Sequence, residues 1–432
     1  MTRIVLHEHG RLVPRGARMD GAVVDPRAYE RLRRFDERAA RHDGGVFTWY
    51  AHHAKVSQWV GVVQVDGLQV EILPKIETAS AVQESRLSRM NLVAMLAIAG
   101  DLPVRSRELA SLAERKASLS EVLARLFAEK LVSELLRGRE RRYRSRRENL
   151  HGFKGKLVVS KQMLRNAAHR ERFVCDFDEL VADTPMNRVF RAACRRLDQV
   201  SRVPRTVDAL RRALFLLDDV EDVVVTPQLI ERVLIDRKNE RFESLFSFCR
   251  LLFAHESPTA RAGATTTFSL LFDMNIVFEQ FITAFVRRHV LPQLSGWSLF
   301  PQARGRHRHL LSRAGRGVLR LAPDLLLETP EGELVVVDTK WKHLARGGKQ
   351  RRASRADLYQ LYAYLQRFEA RRTVLLYPRV PGVAPDSLEA FEQGDGAGAR
   401  RVEVRFVDVS VDLASESGRC MLASELRELL VS

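Results

Sequence analysis

Pro323-Asp324 and Asp338-Thr339-Lys340 are the residues of this chain whose types and spacing best suit chemistry. Two carboxylates supply the hard oxygen ligands that Mg²⁺ prefers. A lysine beside them orients or deprotonates an attacking water and neutralises phosphate charge. The reaction served by such a unit is metal-assisted phosphodiester hydrolysis, in which the cation withstands the charge of the pentacovalent transition state and lowers the pKa of water. Thr339 would contribute only its backbone carbonyl. Gln360 and Tyr364 are four residues apart and share a helix face, from which they touch substrate or hold the lysine, with Asp357 one turn earlier. Glu279 lies off the apolar stripe of Phe278, Phe281, Ile282 and Phe285, as a third carboxylate or as a solvated helix position.

These residues need elements that bring them together. Leu325-Leu326-Leu327 and the valine-rich run Leu334 to Lys340 flank the turn residues Thr329 to Gly332, so a β-hairpin is expected. Alternation along the second strand puts Leu334, Val336, Asp338 and Lys340 on one face and Val335, Val337 and Thr339 on the other. A turn centred on Pro330 and Glu331 sets Asp324 beside Val337 or Asp338, and one residue of register decides whether the acids converge. Around this hairpin the pattern predicts a helix near Leu270 to His289, strands around Trp297 to Gln302 and Val318 to Leu327, a helix from Asp357 to Glu369 and a strand from Thr373 to Tyr377. A strand from Val402 to Val409 and a short terminal helix follow the loop Gly394 to Gly398.

The expected fold class is α+β and multidomain. Residues 1–78 alternate in short strands, with Asp66-Gly67 as a two-residue hairpin turn, and form a β-rich module. Residues 79–264 are mainly helical, with Ser118 and Glu121 spaced as a capping box and a strand-like interruption near Gly152 to Val159. Residues 265–432 make an α/β domain with a mixed sheet in the order αβββαβ.

With 71 Lys and Arg against 54 Asp and Glu, the 432-residue chain carries a net charge of +17, and nucleic acid is the polyanion it suits best. A basic stretch, Lys342, Arg346, Lys349, Arg351, Arg352 and Arg355, leaves directly from the site and is placed to meet phosphates; otherwise it is a solvated loop. The arginines between 137 and 147 either track a DNA backbone or solubilise a helix end. The four cysteines form no CxxC pair and read as reduced. No apolar run reaches the ~18 residues of a membrane span, so no membrane partner and a cytoplasmic location are expected.

Pro323-Asp324, Asp338-Thr339-Lys340 and Gln360 to Tyr364 together resemble the PD-(D/E)xK nuclease superfamily in its QxxxY variant. Glu71-Ile72-Leu73-Pro74-Lys75-Ile76, Asp183-Thr184-Pro185-Met186-Asn187-Arg188, Asp273-Met274-Asn275 with Phe278-Glu279, and Asp357-Leu358-Tyr359-Gln360 extend the likeness to the McrC family of McrBC-type restriction systems, over most of the chain. The resemblance implies an Mg²⁺-dependent endodeoxyribonuclease, with Mn²⁺ as a substitute, in which Asp324 and Asp338 bind metal, Lys340 is catalytic, and Glu279, Gln360 and Tyr364 support them. It implies a McrB-like AAA+ GTPase ring as partner, met by the N-terminal module, and double-stranded, including methylated, DNA as substrate. Two complexes would meet to cut both strands. The chain has no GxxxxGK[ST] loop, since Gly347-Gly348-Lys349-Gln350 lacks its spacing and its hydroxyl, so nucleotide binding falls to the partner. The alternatives are a noncatalytic adaptor bridging an AAA+ ring to DNA, or a nuclease of the same superfamily acting in recombination or RNA processing.

Overall fold

A computed structural model describes residues 2–16, 19–38, 45–76, 81–100, 102, 118–253, 267–342, 353–379, 389–394 and 399–431. The chain divides into two compact units, Met1–Val122 with His255–Ser432, and Leu123–Ala254. This is an α+β protein with several sheets, but its units do not follow the expected three consecutive segments. The reason lies in one strand. Thr267–Asp273 pairs antiparallel with Trp59–Val65 in a four-stranded sheet completed by Leu68–Leu73 and Thr2–His7, so the start of the expected third domain is built into the first.

That strand corrects the helix expected from Leu270. Phe268, Leu270, Leu271 and Phe272 are all buried, and a short run apolar on both faces gives no period that separates strand from helix. The helix begins only at Met274, where the Asp273 carboxylate accepts from the Asn275 amide as its N-cap. The strands approach closely enough that a Cβ on Gly61, at φ +129°, would strike the Leu270 carbonyl. Asp66 and Gly67, both at positive φ, close the expected two-residue hairpin between Val65 and Leu68.

The second sheet of this unit carries the candidate site. Its six strands run in the order Ser298–Pro301, Leu325–Glu328, Leu334–Thr339, Arg372–Pro378, Arg400–Val407, Glu389–Gln393, mixing parallel and antiparallel pairs. The helix Arg355–Arg367 lays Leu361, Tyr364 and Leu365 against Leu326, Val336, Leu375 and Tyr377. The expected strand Val318 to Leu327 is two strands. Arg316–Leu321 pairs with Arg308–Arg313 in a separate hairpin, and Pro323, which has no N–H to give a ladder, stands before Leu325–Glu328 enters the large sheet. The terminal helix Glu416–Val431 is 16 residues long and not short.

The unit Leu123–Ala254 is less helical than expected. Nine-residue strands Arg142–Leu150 and Phe173–Val181, with Lys156–Leu157, form a three-stranded antiparallel sheet. Of the arginine run, Arg137 ends the helix Leu119–Arg137, while Arg142, Arg144, Arg146 and Arg147 lie on a strand, held there by the facing strand's acids: Arg147 pairs with Asp176 at 2.6 Å and Arg146 with Glu179 at 2.9 Å. Asp183 to Arg188 is a helix start. The Thr184 hydroxyl caps Pro185–Val200 by accepting from the Asn187 amide, the Asn187 side chain donates to the carbonyls of Glu140 and Ala182, and Arg188 grips Asp183.

Candidate active site

Leu325 faces Val337 across the hairpin, and the next step of that register sets Asp324 opposite Asp338. The five-residue turn Thr329 to Glu333, closed by the Thr329 amide on the Glu333 carbonyl at 2.9 Å with Gly332 at φ +83°, selects this alternative. Asp338 is 2% exposed, and its Oδ2 lies 2.6 Å from Lys340 Nζ. The two share a strand face, as alternation requires, while the Lys340 amide donates to the Leu376 carbonyl of the neighbouring strand.

Thr339 does more than the single carbonyl expected of it. Both its amide and its hydroxyl donate to Asp324 Oδ2, each at 2.6 Å. Because the Lys340 amide is directed at the 372–378 strand, strand alternation turns the peptide groups of Thr339 the other way, so its carbonyl shares the edge that its amide offers to Asp324. One residue thus fixes one acid and offers a further oxygen on the same side.

The helix face behaves differently from expectation. Gln360 Nε2 donates to Asp338 Oδ1 at 3.3 Å and to the Tyr364 hydroxyl at 2.8 Å, so the glutamine orients the acid and not the lysine. Tyr364 is also a core residue, 3% exposed. Asp357, at the N-terminal turn of this helix, accepts from Lys342 Nζ at 3.2 Å and from the Tyr377 hydroxyl at 3.3 Å.

Glu279 does reach the site, through a residue that sequence reasoning missed. Gln302 Nε2 donates to Glu279 Oε1 at 3.1 Å, while the Gln302 amide donates to the Asp324 carbonyl at 3.0 Å. Gln302 and Ala303 both have φ of 49°, a left-handed pair that turns the chain out of the Ser298–Pro301 strand. Neither of the two is glycine, so no local signal marks them as left-handed, although Gly305 follows in the same turn at φ +80°. Also beside the site, Trp341 follows the lysine, donates its indole N–H to the buried Glu8 at 2.6 Å and packs edge-on against Phe278. Glu8 accepts the Lys75 amide too, which gives the Leu73-Pro74-Lys75 segment a structural role.

The electrostatics are those of crowded acids. Burial, then the neighbouring Asp324, pushes the Asp338 carboxyl up to about 6. Burial raises Asp324 in spite of the Thr339 hydrogen bonds, and burial followed by Asp324 raises Glu279. For Lys340 burial acts downward, but the attraction of Asp338 and then Asp324 outweighs it, so its ammonium is held more firmly than usual. Burial lifts the Tyr364 phenol to about 12, so it stays neutral.

Among the described residues no three His, Cys, Asp or Glu side chains close around a point as a metal cage. The donor set here suits a cation that needs no cage: Mg²⁺ keeps several waters and takes one or two carboxylates plus substrate oxygens. Asp324, Asp338 and the Thr339 carbonyl are such a set, and the upward shifts of the acids are what a bound cation would reverse. Of the basic residues expected to meet phosphate, Lys342 is paired with Asp357, Arg355 is exposed at the start of its helix, and Arg346, Lys349, Arg351 and Arg352 lie outside the described residues. No described helix is long and apolar enough to cross a membrane. Cys175, Cys194 and Cys249 are buried free thiols, and Cys420 is exposed.

A multi-sheet α+β chain with a lysine-bearing acidic pocket on a mixed sheet is the class defined so far. The family described as McrBC 5-methylcytosine restriction system component matches residues 54–378, and the chain belongs to it. Its fold is similar to a chain in the refined half-complex from the tetradecameric assembly of Thermococcus gammatolerans McrB AAA+ hexamers with bound McrC, at 24% identity and a TM-score of 0.70, covering 99% of this chain and 100% of that one. It is also similar to a chain in the cryo-EM structure of the Thermococcus gammatolerans McrBC complex, at 26% identity and a TM-score of 0.53, covering 67% of this chain and 90% of that one. A comparison with curated proteins returns no match.

Proposed function

We propose that this chain is the DNA-cleaving subunit of a McrBC-type, modification-dependent restriction system and hydrolyses phosphodiester bonds at Asp324, Asp338 and Lys340. The observation that carries the reading is the juxtaposition of a half-buried and a buried acid, Asp324 and Asp338, across one hairpin with an ammonium 2.6 Å from the second. That arrangement matches the PD-(D/E)xK type of site. Asp324, Asp338 and the Thr339 carbonyl would hold Mg²⁺ or Mn²⁺, which when bound supplies Lewis acidity and a water of lowered pKa. The firmly protonated Lys340 acts as a hydrogen-bond donor that orients the water and offsets phosphate charge, not as the base. Gln360 fixes the Asp338 carboxylate, Thr339 fixes Asp324, and Gln302 fixes Glu279.

The partner is a McrB-like AAA+ GTPase ring, in keeping with the McrB hexamers that accompany McrC in the similar assembly. The chain itself lacks a nucleotide-binding loop. The substrate is double-stranded, modified DNA, with Lys342, Arg355 and the intervening Arg346, Lys349, Arg351 and Arg352 along its phosphates. The test is cleavage of modified plasmid by the purified chain with its ring partner, nucleotide and Mg²⁺. Lys340→Ala and Asp338→Ala are expected to lose at least about 100-fold in rate, the scale on which removing an electrostatic catalytic group acts. Undiminished cleavage in either variant rules out this site and leaves the adaptor reading.

A further inference from the structure

Between Ala303 and Pro323 the chain carries six arginines, two histidines and no carboxylate. This segment holds the hairpin of Arg308–Arg313 and Arg316–Leu321, closed by Ala314 and Gly315 at positive φ. Every residue from 311 to 320 is exposed, including Leu311 at 57% and Leu319 at 63%. Arg313 faces Arg316 directly across the tip, and His309 faces Arg320. Like charges opposite one another destabilise a bare hairpin, and no carboxylate among the described residues pairs with Arg313, Arg316 or Arg320. The arginine strand Arg142–Leu150 is the contrast, because Arg142, Arg144, Arg146 and Arg147 there each have an acidic partner.

The root of the hairpin is the site itself. Gln302 precedes it, Asp324 follows it, and their backbones are joined at 3.0 Å. Arg306 is clamped to Glu328, and Arg367, from the helix that bears Gln360, donates to the His309 carbonyl. Six-residue strands at ~3.3 Å per residue reach about 20 Å beyond that root. A two-stranded ribbon of this kind fits the DNA major groove, about 12 Å wide.

We infer that the Arg308–Leu321 hairpin is a duplex-DNA docking arm, with Arg313 and Arg316 at its tip and Arg320 near its root on phosphates of the duplex whose bond is presented to Asp324 and Asp338. This rests on the phosphodiester-cleaving reading for its substrate class, and binding separates the two. The full chain is titrated against a fluorescent duplex in chelator, where cleavage is silent. The variant Arg313→Ala/Arg316→Ala/Arg320→Ala is expected to bind at least about 10-fold more weakly and to lower the slope of log affinity against log salt by roughly two to three, near 0.9 per lost phosphate contact. The corresponding triple Arg→Lys variant keeps most of the affinity, as does Arg212→Ala/Arg232→Ala/Arg237→Ala, which removes the same charge elsewhere. An unchanged slope in the hairpin variant overturns the proposal, as does an equal loss in the distant variant. Lost cleavage with intact duplex affinity also overturns it and assigns the arm to a protein partner. Asp338→Asn keeps duplex binding while abolishing cleavage; should it still cut DNA, the site reading fails and the arm stands.

Discussion

Replacing Asp338 by asparagine should stabilise the metal-free protein while removing its activity. The carboxyl is 2% exposed and pushed up to about 6, first by burial and then by Asp324. A raised carboxyl pKa means that the folded state binds the proton more tightly than the unfolded chain. Stability from this group is therefore gained as pH falls from about 6 towards 4, and is absent above 6, where the fold carries a buried, ionised acid. At about 1.4 kcal/mol for each tenfold difference in proton affinity, holding that charge costs the fold on the order of 3 kcal/mol. That shift already includes the attraction of Lys340, so asparagine, standing in for the neutral carboxyl, should gain up to about 3 kcal/mol at pH 8. Urea unfolding in chelator at pH 8, 7, 6 and 5, followed through the transition of the unit containing the site, reads it directly. Wild type should become more stable towards pH 5 and Asp338→Asn should lack that part of the slope. A variant less stable than wild type at pH 8, with an unaltered pH dependence, refutes the reasoning that crowded acids strain this pocket.

Thr339→Val keeps the backbone donor to Asp324 but deletes the hydroxyl donor, a hydrogen bond to a charged group in the range of roughly 1.5 to 3 kcal/mol; denaturant unfolding should show a loss of about that size, and cleavage should fall with it. Gln302→Ala removes the hydrogen bond that lowers the Glu279 pKa, so Glu279 ionises at higher pH and the acidic limb of the cleavage profile should move upward, in a rate-versus-pH series. Trp341→Phe deletes one of the two donors to the buried Glu8 Oε1, the other being the Lys75 amide, and should destabilise the protein by about 1.5 to 3 kcal/mol, the range of a hydrogen bond to a charged group, measured by urea unfolding. Tyr364→Phe leaves the Gln360 amide its contact with Asp338 and should lower cleavage less than Gln360→Ala, in parallel initial-rate assays.

How much of this was legible depended on how local the signal was. The hairpin bearing Asp324 and Asp338 could be read because valine alternation and turn residues act over a few positions, and even its one ambiguity was a single step of register, settled by the turn Thr329 to Glu333. Gln360 and Tyr364 could be placed on one helix face, but only packing against Val336 and Leu375 decides that the face meets Asp338. Leu270 to Asp273 passes for the start of a helix because the strand that Thr267–Asp273 pairs with, Trp59–Val65, lies some two hundred residues away and an apolar run has no period of its own. The N-cap Asp273 stood in the sequence as the signal for the true helix start. Gln302 was invisible, since its role follows from two left-handed residues, neither of which is glycine. Arg146 and Arg147 are matched by acids of Phe173–Val181 only once the two strands pair, while Arg313, Arg316 and Arg320 lie in a hairpin that the apolar pattern up to Leu327 does not separate from the next strand.

The central claim is that Asp324 and Asp338 jointly seat a divalent cation, and titration of the chelator-stripped full chain with Mn²⁺, followed by electron paramagnetic resonance, tests it most directly. Wild type should bind the ion, with Asp324→Asn and Asp338→Asn each weakening binding by at least about tenfold, the loss that removing even a hydrogen-bond partner of a metal ligand causes. Mn²⁺ binding of equal strength in all three proteins would contradict it.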